Sequence, residues 1–360
     1  MHLVMMTQRV DADHDVLGFT VDWIRALASQ VDELDVLTGY AGEYELPANV
    51  TVRSYGKERG FGKLRRVVEF QRHCARYSQM DIDAVFVHMI PAYVIASWPW
   101  FAVSGVPYIL WYAHSEMDYK LRIGHHLVDK VVTATDASFR LDSAKVTVLG
   151  HGIDTTTFTP GSPETERDLL LGLGRLDPVK NFETLIDAVA LMEDRGRDVR
   201  LRIVGETSEY TDYEADLRDQ VARRELEDRI TFAGAVPHDS VVTEYRRASA
   251  FLNASGTGSL DKTEIESMAC ETPTISSNDS YREMIQDSRL DESLLTFPSN
   301  DVSTLADRIE RLCEMDADMY RHLAEASRSL ARDRHDVEAL MRKLVAEIGE
   351  LQTSTATMQV

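Results

Sequence analysis

The feature that most constrains this chain is an alternation of short apolar runs with helix-patterned segments, and the alternation occurs twice. In the first half "HLVMMT", "LDVLTG", "VTVRSYG", "AVFVHMI", "PYILWYA", "KVVTAT" and "KVTVLG" are strand-like, and "VDWIRALASQV" and residues 57–73 are helix-like. The second half begins again with "RDLLLGLGRL", "VRLRIVGE", "ITFAGAV", "AFLNAS", "TPTISS" and "LLTFP", separated by patterns such as "NFETLIDAVALMEDR" and "YEADLRDQVARRELEDR". Short apolar runs joined by helical segments predict parallel sheets with crossover helices. The expected class is α/β, with two Rossmann-like domains whose strand carboxyl ends, and therefore the ligand, face an interdomain cleft. A chain of 360 residues is long enough for two full cores.

The Pro, Gly, Ser and Thr content of "TFTPGSPETERD" marks the boundary. The reading is an amino-terminal domain over 1–157, a linker at 158–168 and a second domain over 169–335. A last helix over 336–352, with Val337, Leu340, Leu344 and Ile348 on one spacing, is expected to pack back toward the first domain. Residues 353–360 are expected to be a flexible tail.

Charge excludes one function class and raises another. The formal net charge is −21, and it is uneven: residues 1–150 hold 18 acidic and 15 basic side chains, residues 151–360 hold 42 and 24. No basic face of the kind that phosphate neutralisation requires is evident, so nucleic-acid binding is not expected. An acidic surface also suits a salt-rich cytoplasm, which points to a halophilic source. Against this background "KERGFGKLRRVVEFQRH" (57–73) carries six Lys/Arg and two acids, with Phe61, Leu64, Val67 and Val68 able to share a helical face. Such a helix either packs its apolar side inward or lies on an anionic membrane surface.

The longest uncharged run, Met89 to Ala113, is broken by Pro91, Pro99, Gly105 and Pro107, so a short helix followed by a strand is expected rather than a membrane span. The amino terminus shows no secretion-signal pattern. Cys74, Cys270 and Cys313 fit no metal or disulfide framework. A cytoplasmic protein, peripheral on the membrane if the basic helix docks there, is the expectation.

"LLLGLGRLDPVKNFETLIDAVALM" carries the most chemistry. A strand ends in Gly172 and Gly174, and Arg175 and Lys180 flank the turn before a helix. The glycines let backbone approach a ligand, and the two cations suit a diphosphate. No third glycine completes a dinucleotide fingerprint. Together with "IESMACETPTISS", "VTVLGHGIDTTTF" and "VVTATDASFR", this segment resembles the retaining glycosyltransferases of family 4, which have the GT-B fold. The amino-terminal "MTQRVDADHDVLGFTVDWIRAL" and the loop "TGSLDK" look like a sub-branch that builds surface polysaccharides or lipid-linked glycans.

The resemblance implies an acceptor domain followed by a donor domain, and it implies roles. Arg175 and Lys180 bind the donor diphosphate and stabilise the leaving group, Glu266 holds the ribose, and Gly174 and the turn at Val236 border the nucleotide. His114 faces the transferred sugar or phosphates. Gly18 lies in the loop where acceptor and donor phosphate approach the first domain. The sequence departs from the family's Glu-x7-Glu pattern, because Gly258 stands where the first Glu belongs. Asp261 and Lys262 are candidates to compensate. Asp261 with Glu264 also forms a helix capping-box pattern, and a helix amino terminus at Ser259, Leu260, Asp261 and Lys262 binds anions through backbone N–H groups.

Asp81 and Asp83 have the spacing of a metal-binding pair but precede a strand and are better read as a polar strand entry. The adjacent His125 and His126 point to different sides of a helix. No metal or other cofactor is expected. The aromatic run Trp98, Trp100, Phe101, Tyr108, Trp111, Tyr112 is either core or the edge of an acceptor or lipid surface. The function expected from the resemblance is transfer of a sugar from a nucleotide diphosphate sugar to a glycan or lipid-linked acceptor with retention. The alternatives are an epimerase or hydrolase on the same fold, and a silent sugar-nucleotide binder.

Overall fold

A computed structural model describes residues 1–14, 17–102, 104–114, 116–161, 165–207, 212–256, 259–286 and 288–358. The chain divides into two units, Met1–Asp154 with Asp336–Val360, and Thr155–His335.

The first unit contains β1 (His2–Val10), α1 (Phe19–Ala28), β2 (Glu33–Ala41), β3 (Val50–Ser54), α2 (Lys63–Tyr77), β4 (Ala84–His88), α3 (Pro91–Phe101), β5 (Tyr108–Trp111), α4 (Tyr119–Leu127), β6 (Lys130–Thr133) and β7 (Val146–Val148). Its described strands form one parallel sheet in the order β3-β2-β1-β4-β5-β6-β7. Successive side chains of a strand point to opposite faces. Leu3 and Met5 therefore join Trp23, Ile24 and Leu27 of α1, while Val4 and Met6 join Phe70, Cys74 and Tyr77 of α2. Both faces are covered, which is why β1 is apolar from Leu3 to Met6 and β4 from Ala84 to Val87.

The second unit contains β8 (Glu166–Leu173), α5 (Phe182–Asp194), β9 (Arg200–Val204), α6 (Tyr213–Arg223), β10 (Ile230–Phe232), α7 (His238–Arg247), β11 (Ala248–Asn253), α8 (Lys262–Ala269), β12 (Thr274–Ser276), α9 (Asp279–Gln286), α10 (Glu292–Leu295), α11 (Val302–Cys313) and α12 (Ala317–His335). Its described strands form a parallel sheet ordered β10-β9-β8-β11-β12. β8 begins inside the segment that composition assigns to the linker. Glu166 and Asp168 are strand-entry carboxylates gripped by Arg200, and Glu166 also by Arg247.

The last helix, α13 (Val337–Met358), returns to the first unit. Val337, Leu340, Met341, Leu344 and Ile348 lie in the same core cluster as α1. It continues to Met358, beyond the point where the sequence places a flexible tail. No helix of the described residues is long and apolar enough to cross a membrane. Within the run Met89 to Ala113, α3 and β5 are the regular elements.

Candidate active site

In the second unit the chain winds outward from β8 through β9 to β10, then returns to β11 and β12 on the other side. β8 and β11 are neighbours whose following segments leave in different directions, so the crevice beyond their carboxyl ends is the topological switch point. The loop after β8 carries Gly174, Arg175 and the turn Pro178–Lys180, and the loop after β11 leads to α8. The two loops are tied where the Gly256 N–H donates to the Val179 carbonyl at 3.3 Å. The neighbouring β9 loop also approaches closely. Gly205 has φ +141°, and a Cβ there would lie 1.9 Å from the Gly174 carbonyl oxygen. Gly174 itself has φ +149°, a conformation that favours glycine.

The two loops share a polar network. Lys180 Nζ donates to Asp261 Oδ2 at 2.8 Å, and Asn253 Nδ2 donates to the same oxygen at 3.0 Å. Asn253 Nδ2 also reaches Glu264 Oε1 at 2.7 Å, Ser276 Oγ donates to that oxygen at 2.5 Å, and the Asp261 N–H donates to Glu264 Oε2 at 3.0 Å. Asp261 and Glu264 form the capping box of α8. Expected to grip a diphosphate, Lys180 is here in an ion pair with Asp261, the residue whose compensating role the sequence left open. Arg175 is exposed, with no hydrogen bond or ion pair to another described residue.

Glu264 is fully buried, and burial first, then the nearby Asp261 carboxylate, push its carboxyl up to about 8 against the hydrogen bonds from Ser276, Asn253 and the Asp261 backbone. The raised value fixes the sign of a pH effect. Between the ordinary carboxyl value of 4.5 and about 8, the native state keeps a proton that the unfolded chain releases. This group's contribution to stability therefore falls as pH rises through that window, by up to about 1.4 kcal/mol per pH unit. We predict that urea unfolding at two pH values within the window shows this decline in wild type relative to Glu264→Gln. An unchanged difference between the two proteins would mean that Glu264 is ionised throughout.

Two residues on, Glu266 is buried and accepts a hydrogen bond from the Tyr245 phenol at 3.0 Å. Burial and the Glu266 carboxylate hold Tyr245 well above its ordinary range, so it stays a donor. Ser259 accepts through its carbonyl from Asn278 Nδ2 at 2.6 Å. Leu260 is buried, so its side chain is not available to a ligand. Lys262 is the first residue of α8, at the positive end of the helix. Gly258, the site of the missing Glu, lies outside the described residues. Val236 follows edge strand β10 and is separated from β8 by β9. Asn253, Ser276 and Tyr245 escape the motif reading, although the first two are polar residues that end apolar strands, which is a readable signal.

Gly18 and His114 lie in the first unit. Gly18 precedes α1, its N–H donating to the His14 carbonyl at 2.8 Å; a Cβ there would sit 2.8 Å from the Ala12 oxygen. His114 is exposed and accepts at Nδ1 from the Glu116 N–H at 3.0 Å, which puts the proton of the neutral ring on Nε2. The switch point of this sheet, between β1 and β4, holds a histidine that the sequence does not single out. His88 is buried, its Nδ1 lies 3.1 Å from Thr7 Oγ1, and its ring packs against Phe19 and Trp23. Asp83 is structural: Oδ2 accepts from the His2 N–H at 2.6 Å and Oδ1 from Gln352 at 3.1 Å. Among the described residues no group of three or more His, Cys, Asp or Glu is placed to hold a metal ion.

The family model for Glycosyl transferases group 1 matches residues 154–330. A mannosylfructose-phosphate synthase from Agrobacterium fabrum is 27% identical over 186 residues, covering 44% of this chain and 41% of the relative. A D-inositol 3-phosphate glycosyltransferase from Kineococcus radiotolerans is 32% identical over 170 residues, 41% and 39% of the two chains. The chain thus spans about two-fifths of the length of these relatives. Sucrose-phosphate synthase from Thermosynechococcus elongatus superposes with a TM-score of 0.77 at 17% identity, over 98% of this chain and 99% of the other. The crystal structure of Anabaena HepE with UDP and glucose gives a TM-score of 0.75 at 16% identity, over 97% and 99%. Residues 154–330 thus match the Glycosyl transferases group 1 model, and the fold of the chain is that of the GT-B glycosyltransferases.

Proposed function

We propose that this protein is a metal-independent, retaining glycosyltransferase of the family 4 type that moves a hexose from a nucleoside diphosphate sugar to a glycan or lipid-linked acceptor in surface polysaccharide or protein-glycan assembly. The observation that carries the reading is the switch point of the second unit. There Lys180, from the β8 loop that also carries Arg175, is bonded to Asp261 at the amino terminus of α8, the helix that holds the buried Glu266. Two cations and a positive helix end suit a diphosphate without a metal ion. The HepE structure holds UDP and glucose, which supports a donor of this class.

In this reading the bond between the anomeric carbon and the donor phosphate breaks while the acceptor oxygen bonds to that carbon on the same face. The acceptor proton passes to the departing phosphate oxygen, and Arg175 and Lys180 stabilise the charge that develops there. An ammonium group has three donors, so Lys180 can keep Asp261 while it donates to phosphate. The Asp261 bond then fixes the direction of the remaining donors. Glu266, steadied by Tyr245, accepts from the ribose hydroxyls. Such a protein works at the cytoplasmic side, where nucleotide sugars are the donors.

Purified protein incubated with UDP-, GDP- and ADP-sugars and with lipid-phosphate or oligosaccharide acceptors tests the proposal. Transfer with the donor's anomeric configuration preserved in the product is the expected result. Release of free sugar or epimer, or binding with no turnover, would replace it with one of the two alternatives. The preferred donor should also raise thermal stability, by about 2.7 kcal/mol at a hundredfold excess over Kd.

A further inference from the structure

We propose that the amino-terminal half of α2 and the Trp98–Trp100 end of α3 together form a docking surface for an anionic lipid bilayer. The surface lies wholly in the first unit and does not rest on the glycosyl-transfer reading.

The helix α2 splits its apolar residues between two jobs. Phe70, Cys74 and Tyr77 are in the core, whereas Leu64, Val67 and Val68 are 80%, 57% and 54% exposed. Leu64, Val67, Val68 and Gln71 fall at i, i+3, i+4 and i+7, so they make one stripe. The stripe runs on to α3, where the Trp100 indole N–H donates to Gln71 Oε1 at 2.6 Å. Trp98 and Trp100 are themselves more than a third exposed, with Pro99 between them exposed as well. Beside Trp98 opens a recess of about 390 Å³, lined by Phe101, Val106, Pro107, Leu127 and Leu351 among others.

The charges supply the occupant. In a chain with a formal charge of −21, Lys57, Lys63, Arg65 and Arg66 have no carboxylate within ion-pair distance among the described residues. The arginines of β9 and of the surrounding helices in the second unit are, by contrast, mostly in ion pairs. Arg65 stacks on Phe61 at 3.5 Å from the ring centroid, which holds the cation at the surface without neutralising it. Unpaired cations flanking exposed aliphatic and tryptophan side chains match the headgroup zone of an anionic bilayer, where charge attracts and amphipathic rings settle. An acidic protein partner would use the cations but leave the aliphatic stripe without a role.

Co-sedimentation with phosphatidylcholine vesicles, with and without phosphatidylglycerol, tests this. Wild-type protein is expected to bind the phosphatidylglycerol vesicles, to lose binding as salt rises, and to show blue-shifted tryptophan emission. Trp23 and Trp111 are already buried, so the shift reports Trp98 and Trp100. Arg65→Glu with Arg66→Glu should weaken binding roughly 100-fold. Leu64→Asn with Val67→Asn, which keeps every cation, should weaken it roughly tenfold. These aliphatic side chains are exposed, so circular dichroism of the second variant should match wild type. Equal binding to both vesicle types, wild-type binding by both variants, or binding to soluble polyglutamate but not to vesicles would each overturn the proposal. Sugar transfer to a water-soluble acceptor needs no bilayer and reports separately on the catalytic reading.

Discussion

Replacing Lys180 by Ala should lower turnover by roughly 10²–10³-fold, the usual consequence of removing one group that stabilises transition-state charge. The variant should also lose some stability. Its ammonium accounts for an ion pair with Asp261 at 2.8 Å in a half-buried network. Without it Asp261 remains beside the fully buried Glu264, held by Asn253 alone among the side-chain donors named above. Breaking a partly buried charge-assisted bond costs about 1–3 kcal/mol. Arg175→Ala separates the two effects. Arg175 is exposed and makes no ion pair with another described residue, so turnover should fall comparably while the melting temperature stays near that of wild type. Steady-state kinetics alongside thermal unfolding check both. Wild-type rates in the two variants together would remove the β8 loop from the donor site.

The largest expected loss of stability is for Trp23→Ala, about 3–5 kcal/mol, as for other large-to-small changes in a core. Trp23 is 1% exposed, its indole N–H donates to the Gly152 carbonyl at 2.8 Å, and its ring meets Trp111 edge-on at a centroid distance of 4.8 Å. Truncation leaves a cavity between α1 and the sheet and takes away the donor to Gly152. Gly152→Ala probes the same spot from the other side. Its φ is +73°, and a Cβ would stand 2.8 Å from the Trp23 ring, so this variant should also be destabilised. Denaturant unfolding followed by a probe specific to the first unit is the measurement, because the two units need not unfold together. A Trp23→Ala protein within about 1 kcal/mol of wild type would mean that this face of the sheet repacks freely.

Much of the site was legible because its signals are local. Gly174 ends an apolar strand, and its backbone conformation is one that glycine tolerates. Asp261 and Glu264 stand three apart before a helix and form its capping box. What was not legible depends on contacts between segments distant in sequence. The Lys180–Asp261 bond joins residues 81 apart, and Tyr245 reaches Glu266 from another helix. Nothing in the spacing of "DKTEIES" says that Glu264 loses all contact with water while Lys262 does not. His88 was missed for a related reason: as the last residue of an apolar strand it gains meaning only when β1 and β4 prove to be the strands at which the sheet reverses.

By itself the sequence determined the class of fold. Apolar runs too short for helices, joined by amphipathic segments, can bury both faces only as parallel strands under helices, and the pattern occurs twice. It also placed the glycine turn, the cations and the helix cap, each written in neighbouring residues. The tertiary structure decided the charge state and company of those groups. Setting β8 beside β11 brought Lys180 to Asp261 and sealed Glu264 from water, and these contacts set electrostatic energies that no local pattern encodes. It decided, too, that α2 buries one end and exposes the other, because periodicity defines an apolar face and only the packed neighbours determine how much of it is covered.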